Sequence, residues 1–347
     1  MRAATVIPGK PGSSAVDELP DPSPKPGELL VEGLLAGVCS TDEDVVESEH
    51  GTSPAGRERM VLFHESLGRV SHAPAISGFR EGDHVVGVVR RPDPRPCPAC
   101  AAGQWDFCRN NEYTECGIRG LDGFGSQRWT VEPRFAVPVP HRLGELGVLT
   151  EPTSIVEKAW EQAEFVAKRS YFAPRRVLVT GAGPVGLLAA LLGKQRELDV
   201  HVMDRVERGA KPDLVRELGA GYHTSLDELD FEPELVFEAT GSGDVVFDVL
   251  RRTARNAITV LLGLSGGDHT TRIPAGAIND ELVLDNDTVL GTVSANLRHY
   301  RGAVHALDAA DRGWLNGLIS RRVPLAEWQR ALRAERDDVK VTVRLAD

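Results

Sequence analysis

The chain has no long apolar run. Its most apolar stretch, 185–193, falls far short of the ~20 residues a membrane span needs. The opening Met1-Arg2-Ala3-Ala4-Thr5-Val6-Ile7-Pro8 lacks the apolar core of a secretory signal. A basic surplus is missing too. Forty Lys and Arg face 51 Asp and Glu, a net charge of -11. That balance argues against nucleic acid or an anionic membrane as the main partner. Cysteines are few and odd in number: Cys39, Cys97, Cys100, Cys108 and Cys116. Close spacing and an unpaired count fit thiolate ligands in a reducing compartment better than a disulfide framework. There is no internal repeat and no low-complexity segment. The expectation is a cytoplasmic protein without a membrane anchor.

The 347 residues, 41% of them hydrophobic, suffice for two cores, because a single core rarely grows past ~250–300 residues. Residues 1 to about 140 are rich in Gly and Pro. Short β-like runs at 29–32, 67–71, 84–89, 129–132 and 136–139 are separated by turn signals such as Lys25-Pro26-Gly27 and Glu81-Gly82-Asp83. A helix is expected over 154–168. Strands at 177–180, 199–203, 235–238, 257–262 and 288–293 then alternate with helices at 184–196, 211–218 and 244–253. Such alternation implies a parallel sheet covered on both faces. Helices at 297–312 and 325–336 and a strand at 339–343 close the chain. The reading is α/β: a β-rich first part (1–165), a doubly wound parallel sheet (166–295) and a return to the first domain (296–347).

The segment Val177-Leu178-Val179-Thr180-Gly181-Ala182-Gly183-Pro184-Val185-Gly186 is a strand, then Gly-x-Gly-x-x-Gly, then an apolar helix. Gly181 allows the tight turn, Gly183 lets the backbone approach a pyrophosphate, and Gly186 lets helix and strand pack closely. The phosphates would rest on the helix N-terminus at Pro184 and Val185. A second strand ends in Met203-Asp204 about twenty residues on, where a ribose is read. Asp204 would accept from a 2′-hydroxyl, which favours NAD over NADP. Arg205, Arg208 and Lys211 follow closely and could bind a 2′-phosphate instead.

Two groups of metal-ligating residues stand out. Cys39-Ser40-Thr41-Asp42 reads as a loop; His64-Glu65 and Glu151-Pro152 lie further on. A thiolate, an imidazole and a carboxylate suit a tetrahedral zinc with one open position. The second group is Cys97-x2-Cys100-x7-Cys108 in a Pro/Gly-rich loop, which suits a structural zinc. Its fourth ligand is not obvious; Asp93 and Cys116 are the candidates, and a metal-free lobe is the alternative.

Several motifs together resemble the medium-chain dehydrogenases, and within them the glucose 1-dehydrogenase branch. They are Cys39-Ser40-Thr41-Asp42, His64-Glu65-x-x-Gly68, Gly82-Asp83-x-Val85-Val86, Gly181-x-Gly183-x-x-Gly186 and Glu238-Ala239-Thr240-Gly241. Three further segments are those of the sugar branch: Glu115-Cys116-Gly117-Ile118-x-Gly120-x-x-Gly123-Phe124, Leu149-Thr150-Glu151-Pro152-x-Ser154-Ile155-x-Glu157-Lys158, and Val289-Leu290-Gly291-x-Val293-x-x-Asn296. The resemblance implies a GroES-like catalytic domain split by an inserted Rossmann domain. It implies a catalytic zinc held by Cys39, His64 and Glu151, with Glu65 as an alternating or outer ligand. By the same carry-over Glu115, Glu157 and Asn296 hold sugar hydroxyls, and Thr240-Gly241 line the cofactor. The implied activity is zinc-dependent oxidation of an aldose at C1 to a lactone, with NAD(P) as hydride acceptor. Thr41 would relay the proton, or a water held by Glu65 would; Asp42 would orient Thr41 or cap the following helix. Relatives form dimers or tetramers, and the apolar strand near Val289 is the candidate interface.

Three departures accompany the resemblance. Phe63 replaces the Gly that commonly precedes the zinc-binding His, which crowds the site. Pro94 stands at the first cysteine of the structural zinc lobe. Val89 replaces an Asn that contacts a hydroxyl in some members, which leaves the sugar open. Competing readings are a zinc dehydrogenase of a polyol, amino-cyclitol or other alcohol, a non-catalytic dinucleotide sensor, and a zinc-free quinone reductase.

Overall fold

The computed structural model describes residues 1–47, 51–265 and 270–346. The chain divides into two compact units, Met1–Ser154 with Ser294–Asp347, and Ile155–Val293. The first division falls within the helix Thr150–Ala167, ahead of the boundary expected at 165/166.

The first unit is built on a seven-stranded sheet. Along it run Ala136–Val139, His84–Gly87, Glu65–His72, Leu29–Gly37, Lys340–Arg344 and Ile319–Pro324, with Arg128–Val131 also paired to Leu29–Gly37. Only the last two strands of that row pair in parallel. The core side of Leu29–Gly37 and Lys340–Arg344 buries Ala36, Val341 and Val343 against Phe63, Leu325 and Trp328. The chain that re-enters at Ser294 thus supplies strands to a sheet begun more than 250 residues earlier, so neither segment could bury its apolar face alone.

The second unit is a six-stranded, wholly parallel sheet. Its order is Gly221–His223, Asp199–Met203, Arg176–Thr180, Leu235–Glu238, Ile258–Leu261 and Thr288–Gly291. This is the doubly wound order in which the first strand lies centrally. The central strands are continuous apolar runs because helices cover both faces. Helix Pro184–Gln195 is buried along most of its length, with Pro at its first turn, where the missing N–H is an orphan anyway. The two ends of this unit are joined: Lys158, buried in the entry helix, donates from Nζ to the Val293 carbonyl at 3.1 Å.

The expected strands are found near their positions; the differences are at helices and at strands that were not expected, among them Arg2–Val6, Ala15–Glu18 and Ile319–Pro324. Cys39–Asp42 is not a loop: Ser40 opens the helix Ser40–Glu47. The expected helix 297–312 is two, Leu297–Ala309 and Arg312–Leu318, and 325–336 is a 3-10 stretch, Leu325–Ala331. Helix Ala275–Leu284 and strand Gly221–His223 were not anticipated.

Candidate functional site

In the first unit, one ligand atom from each of Cys39, His64 and Glu65 lies within 4.8 Å of the others. Cys39 ends the loop before Ser40–Glu47, and His64-Glu65 opens the strand Glu65–His72. That strand pairs with Leu29–Gly37 so that Glu65 faces Gly37. A Cβ on Gly37 would stand 1.9 Å from Glu65 Oε2, so this glycine makes room for the carboxylate. Oε2 itself is buried without a hydrogen-bond partner. An unpaired buried carboxylate oxygen is costly, and here it lies beside a thiol and an imidazole. The donor set therefore fits a zinc ion.

Asp42 caps the helix, one of the two tasks expected of it, and has a further contact as well. It is fully buried; Oδ2 accepts from the Cys39 N–H at 2.8 Å, and Oδ1 lies 3.2 Å from His64 Nδ1. A carboxylate behind a metal-ligating imidazole fixes the ring and its tautomer. Asp42 thus orients His64 rather than Thr41. The Thr41 hydroxyl lies 3.8 Å from the Cys39 sulfur.

Glu151 stands outside the 4.8 Å group. It is buried in the first turn of Thr150–Ala167, not extended as Pro152 led one to expect. Proline lacks only an N–H that a first turn leaves unbonded, so the helix tolerates it. Burial, opposed by His64 and reinforced by Glu65, pushes the Glu151 carboxyl up to about 7. Burial would lower the His64 pKa, but the facing Asp42 and Cys39 carry it well above the usual imidazole range. Burial raises the Glu65 pKa while Lys340 opposes it.

Lys340 was not anticipated. It is buried on the strand Lys340–Arg344, where Nζ forms a close ion pair with Glu65 and donates to the Val38 carbonyl at 2.8 Å. Its signal in the sequence is one lysine among apolar neighbours, with nothing local to link it to residue 65.

Phe63 does not crowd the site. Its φ of 70° is left-handed, the conformation a glycine adopts freely. The ring turns into the core, edge-on to Trp328 at 5.6 Å. Left-handed strain of roughly 1–2 kcal/mol is offset by burying an aromatic ring, worth about 1.5–3 kcal/mol.

The other predicted residues have definite partners. Glu115 accepts from Arg90 Nε at 2.9 Å. Glu157, in the second unit, lies 3.9 Å from Arg196. Asn296 is a buried helix cap whose Nδ2 donates to Gly103 O at 2.7 Å and Asp106 Oδ1 at 2.8 Å. Its Oδ1 accepts from Leu297 N within a capping box with His299.

Cys97, Cys100 and Cys108 also place their sulfurs within 4.8 Å of one another. The N–H groups of Arg109 and Cys100 donate to Cys97 Sγ at 3.3 and 3.5 Å, which lowers its pKa to about 6. Burial raises Cys100 to about 11. Neither fourth-ligand candidate joins them. Asp93 is engaged by Arg95 N and Asn110 Nδ2, both at 2.7 Å, and Cys116 lies on the strand Thr114–Cys116. Among the described residues the lobe has three soft ligands and no fourth.

In the second unit Gly181 turns at φ 92° and donates to Met203 O at 2.7 Å. A Cβ on Gly186 would meet Gly181 O at 1.8 Å, which only glycine permits, whereas one on Gly183 would meet open space. Helix Pro184–Gln195 presents its N-terminus there, with Val185 in its first turn. Asp204 accepts from Ala182 N at 2.7 Å and Val206 N at 3.1 Å, with Lys211 at 3.5 Å; Arg205 is exposed beside it. The Thr240-Gly241 turn is held by buried Glu238, which accepts from Thr240 N at 2.7 Å and Gly241 N at 3.1 Å.

Residues 25–141 match the alcohol dehydrogenase GroES-like domain, and residues 144–345 match the glucose dehydrogenase C-terminus. The chain belongs to the glucose dehydrogenase family. Glucose 1-dehydrogenases of Methanocella arvoryzae and Thermoproteus tenax are 38% and 37% identical to it, each over 99% of both chains. The glucose dehydrogenase of Haloferax mediterranei, solved with NADP, zinc and gluconolactone, is 30% identical and covers all of both chains with a TM-score of 0.92. Lower-identity structures, such as L-idonate 5-dehydrogenase at 21% and a TM-score of 0.80, share the fold alone. Among the described residues no helix is long and apolar enough to cross a membrane.

Proposed function

We propose that the chain is a zinc-dependent dehydrogenase that oxidises an aldose at C1 to its lactone with a nicotinamide dinucleotide. The observation that carries this reading is the constellation of half-buried Cys39 with buried His64 and Glu65, oriented by Asp42 and neutralised by Lys340. A glucose dehydrogenase relative solved with gluconolactone supports the substrate.

Zinc held by Cys39, His64 and a carboxylate from Glu65 or Glu151 supplies Lewis acidity to the oxygen at the reacting carbon. The protein's own groups do the rest. Thr41 passes the hydroxyl proton outward. Asp42 keeps His64 in one tautomer, and Lys340 balances the Glu65 charge so that two buried carboxylates can coexist. A bound nicotinamide would accept the C1 hydride with its electron pair, and C1 would become the lactone carbonyl. Gly181, Gly183 and Gly186 with the N-terminus of Pro184–Gln195 cradle the pyrophosphate.

For the cofactor we infer NAD first, with NADP accepted. Asp204 retains lone pairs for a 2′-hydroxyl, while Lys211 at 3.5 Å and exposed Arg205 can meet a 2′-phosphate. The NADP-bound relative supports the second half of this assignment. We further infer a homodimer through the edge strand Thr288–Gly291, near which Val283, Leu284 and Val293 are 68%, 74% and 56% exposed.

The test is purified protein with zinc, assayed against aldoses and acyclic polyols with each dinucleotide. Lactone formation from an aldose, abolished by chelation and restored by zinc, is expected. Turnover of a polyol without aldose oxidation would overturn the substrate, and turnover unaffected by metal would overturn the mechanism.

A further inference from the structure

Glu115 and Asn296, the first-unit residues read as sugar ligands, are tied into one buried polar network by two residues with no assigned role. Arg90 is 5% exposed and sits directly across from Glu115 in the pairing of Arg90–Arg91 with Thr114–Cys116. Its Nε donates to Glu115 Oε1 at 2.9 Å and its Nη1 to the Asp106 carbonyl at 3.3 Å. The guanidinium lies flat over Tyr113, 3.7 Å from the ring centroid. Asp106 is 4% exposed, in the turn Trp105–Phe107, and its Oδ1 accepts from Asn296 Nδ2 at 2.8 Å. The second hydrogen of that amide goes to Gly103 O at 2.7 Å.

Two consequences follow from the donor and acceptor count. An amide nitrogen has two hydrogens, both of Asn296 are spent inside the protein, and its oxygen is taken by Leu297 N within the capping box, so this amide is a brace and not a free acceptor. Glu115 is held on one side by a planar, stacked cation and does not sample rotamers freely. A fixed carboxylate recognises hydroxyls as donors. Arg119 lies over the same ring, 5.0 Å from its centroid, so this corner carries a second guanidinium.

Resting on the sugar-oxidation reading, we propose that Arg90 is a positioning residue that makes Glu115 a fixed acceptor for a sugar hydroxyl, with Asp106 and Asn296 bracing the loop that holds Arg90. Val89, beside Arg90, is apolar and buried, so the polar character of this wall comes from the Arg90 network. A deoxy analogue leaves a buried acceptor unpaired and is rejected strongly.

The variants Arg90→Lys, Arg90→Gln and Asp106→Asn are compared with wild type for kcat and KM on the best aldose and on its deoxy analogues. The sugar KM should rise at least tenfold in Arg90→Gln and about threefold to tenfold in Arg90→Lys. Changes in kcat should stay under threefold, and zinc content and dinucleotide KM should not move. Asp106→Asn, which alters only the brace between Asn296 and the loop of Arg90, should raise the sugar KM less than Arg90→Lys does. The deciding measurement is the double variant Arg90→Lys with Glu115→Gln. If Arg90 acts through Glu115, its effect disappears in the Glu115→Gln background; an effect that persists unchanged assigns Arg90 to structure alone and overturns the proposal. Sugar KM values within twofold of wild type in all single variants would overturn it as well. Unfolding of Arg90→Gln does not remove the test, because the cycle uses the charge-conserving variant. Wild type that turns over no aldose defeats the sugar reading itself, a separate result seen before any variant is made.

Discussion

The two cysteine-bearing clusters of the first unit are made of opposite materials. Cys39, His64 and Glu65 mix one thiol with an imidazole and a carboxylate, and around them lie Asp42, Glu151 and Lys340, all buried. Cys97, Cys100 and Cys108 are three thiols served by backbone N–H groups, with no charged side chain among the groups donating to Cys97. The first cluster is a set of charges that must be balanced. The second is a cradle that backbone dipoles alone make hospitable to a thiolate. Chemistry belongs with the first, because reversible polarisation of a substrate needs an open position and compensating charge, while a thiol cradle only has to hold its loop together.

The largest effect should come from removing a ligand of the first cluster. Cys39→Ser or His64→Ala should cost several kcal/mol of transition-state stabilisation, at least about 10³-fold in turnover, with one zinc per subunit lost by metal analysis. Cys108→Ser should change turnover by less than about tenfold. Equal losses in both clusters would erase the distinction.

Next in size is Lys340→Met, which leaves Glu65 buried without its cation. Breaking a buried pair from one side costs about 3–5 kcal/mol, to be read by chemical denaturation. Lys340→Arg should recover part of the loss.

Metal-free protein should also show a pH effect of about 4 kcal/mol from Glu151. Its folded pKa, raised by burial to about 7, exceeds the ordinary ~4.3 of an unfolded chain. The folded state therefore favours the proton. This contribution is complete below about pH 4 and is lost as pH rises through 7. Glu151→Gln should flatten the stability profile over that window; an unchanged profile would assign the dependence elsewhere.

The smallest effect belongs to Phe63→Gly. Relief of left-handed strain offsets part of the lost packing against Trp328, leaving about 2 kcal/mol of destabilisation with zinc content unchanged.

What the sequence disclosed tracks how local each signal is. The Gly181-to-Gly186 turn and the strands leading into it are contiguous, their chemistry is mostly backbone, and the pattern can be read directly. Cys39, His64 and Glu65 were recognisable as residue types, but their supports were not. Asp42 was legible as a helix cap, but its second contact, with His64, was not, because that neighbour is distant in sequence. Glu151 looked extended because a rule about the residue before proline was overridden by a first turn that needs no N–H there. Phe63 looked like an obstruction because side-chain size is visible in a sequence and a positive φ is not. Asn296 looked like a free ligand because its obligations to Gly103 and Asp106 come from a loop nearly 200 residues away. Lys340 was the hardest to see: a cation in a strand signals nothing until the sheet sets it beside Glu65.

The bond from Lys158 to the Val293 carbonyl bears on how the polypeptide is made. Cys39 and His64 leave the ribosome early and Lys340 late, with the whole of Ile155–Val293 between them. An unstructured intervening segment would make the late strand search a large volume for its place. A unit whose entry and exit are fastened to each other presents a short tether instead, and the entropy of closing the gap shrinks accordingly. Lys158 is then a residue whose loss should slow the recovery of zinc binding on refolding more than it lowers the zinc affinity of the finished protein.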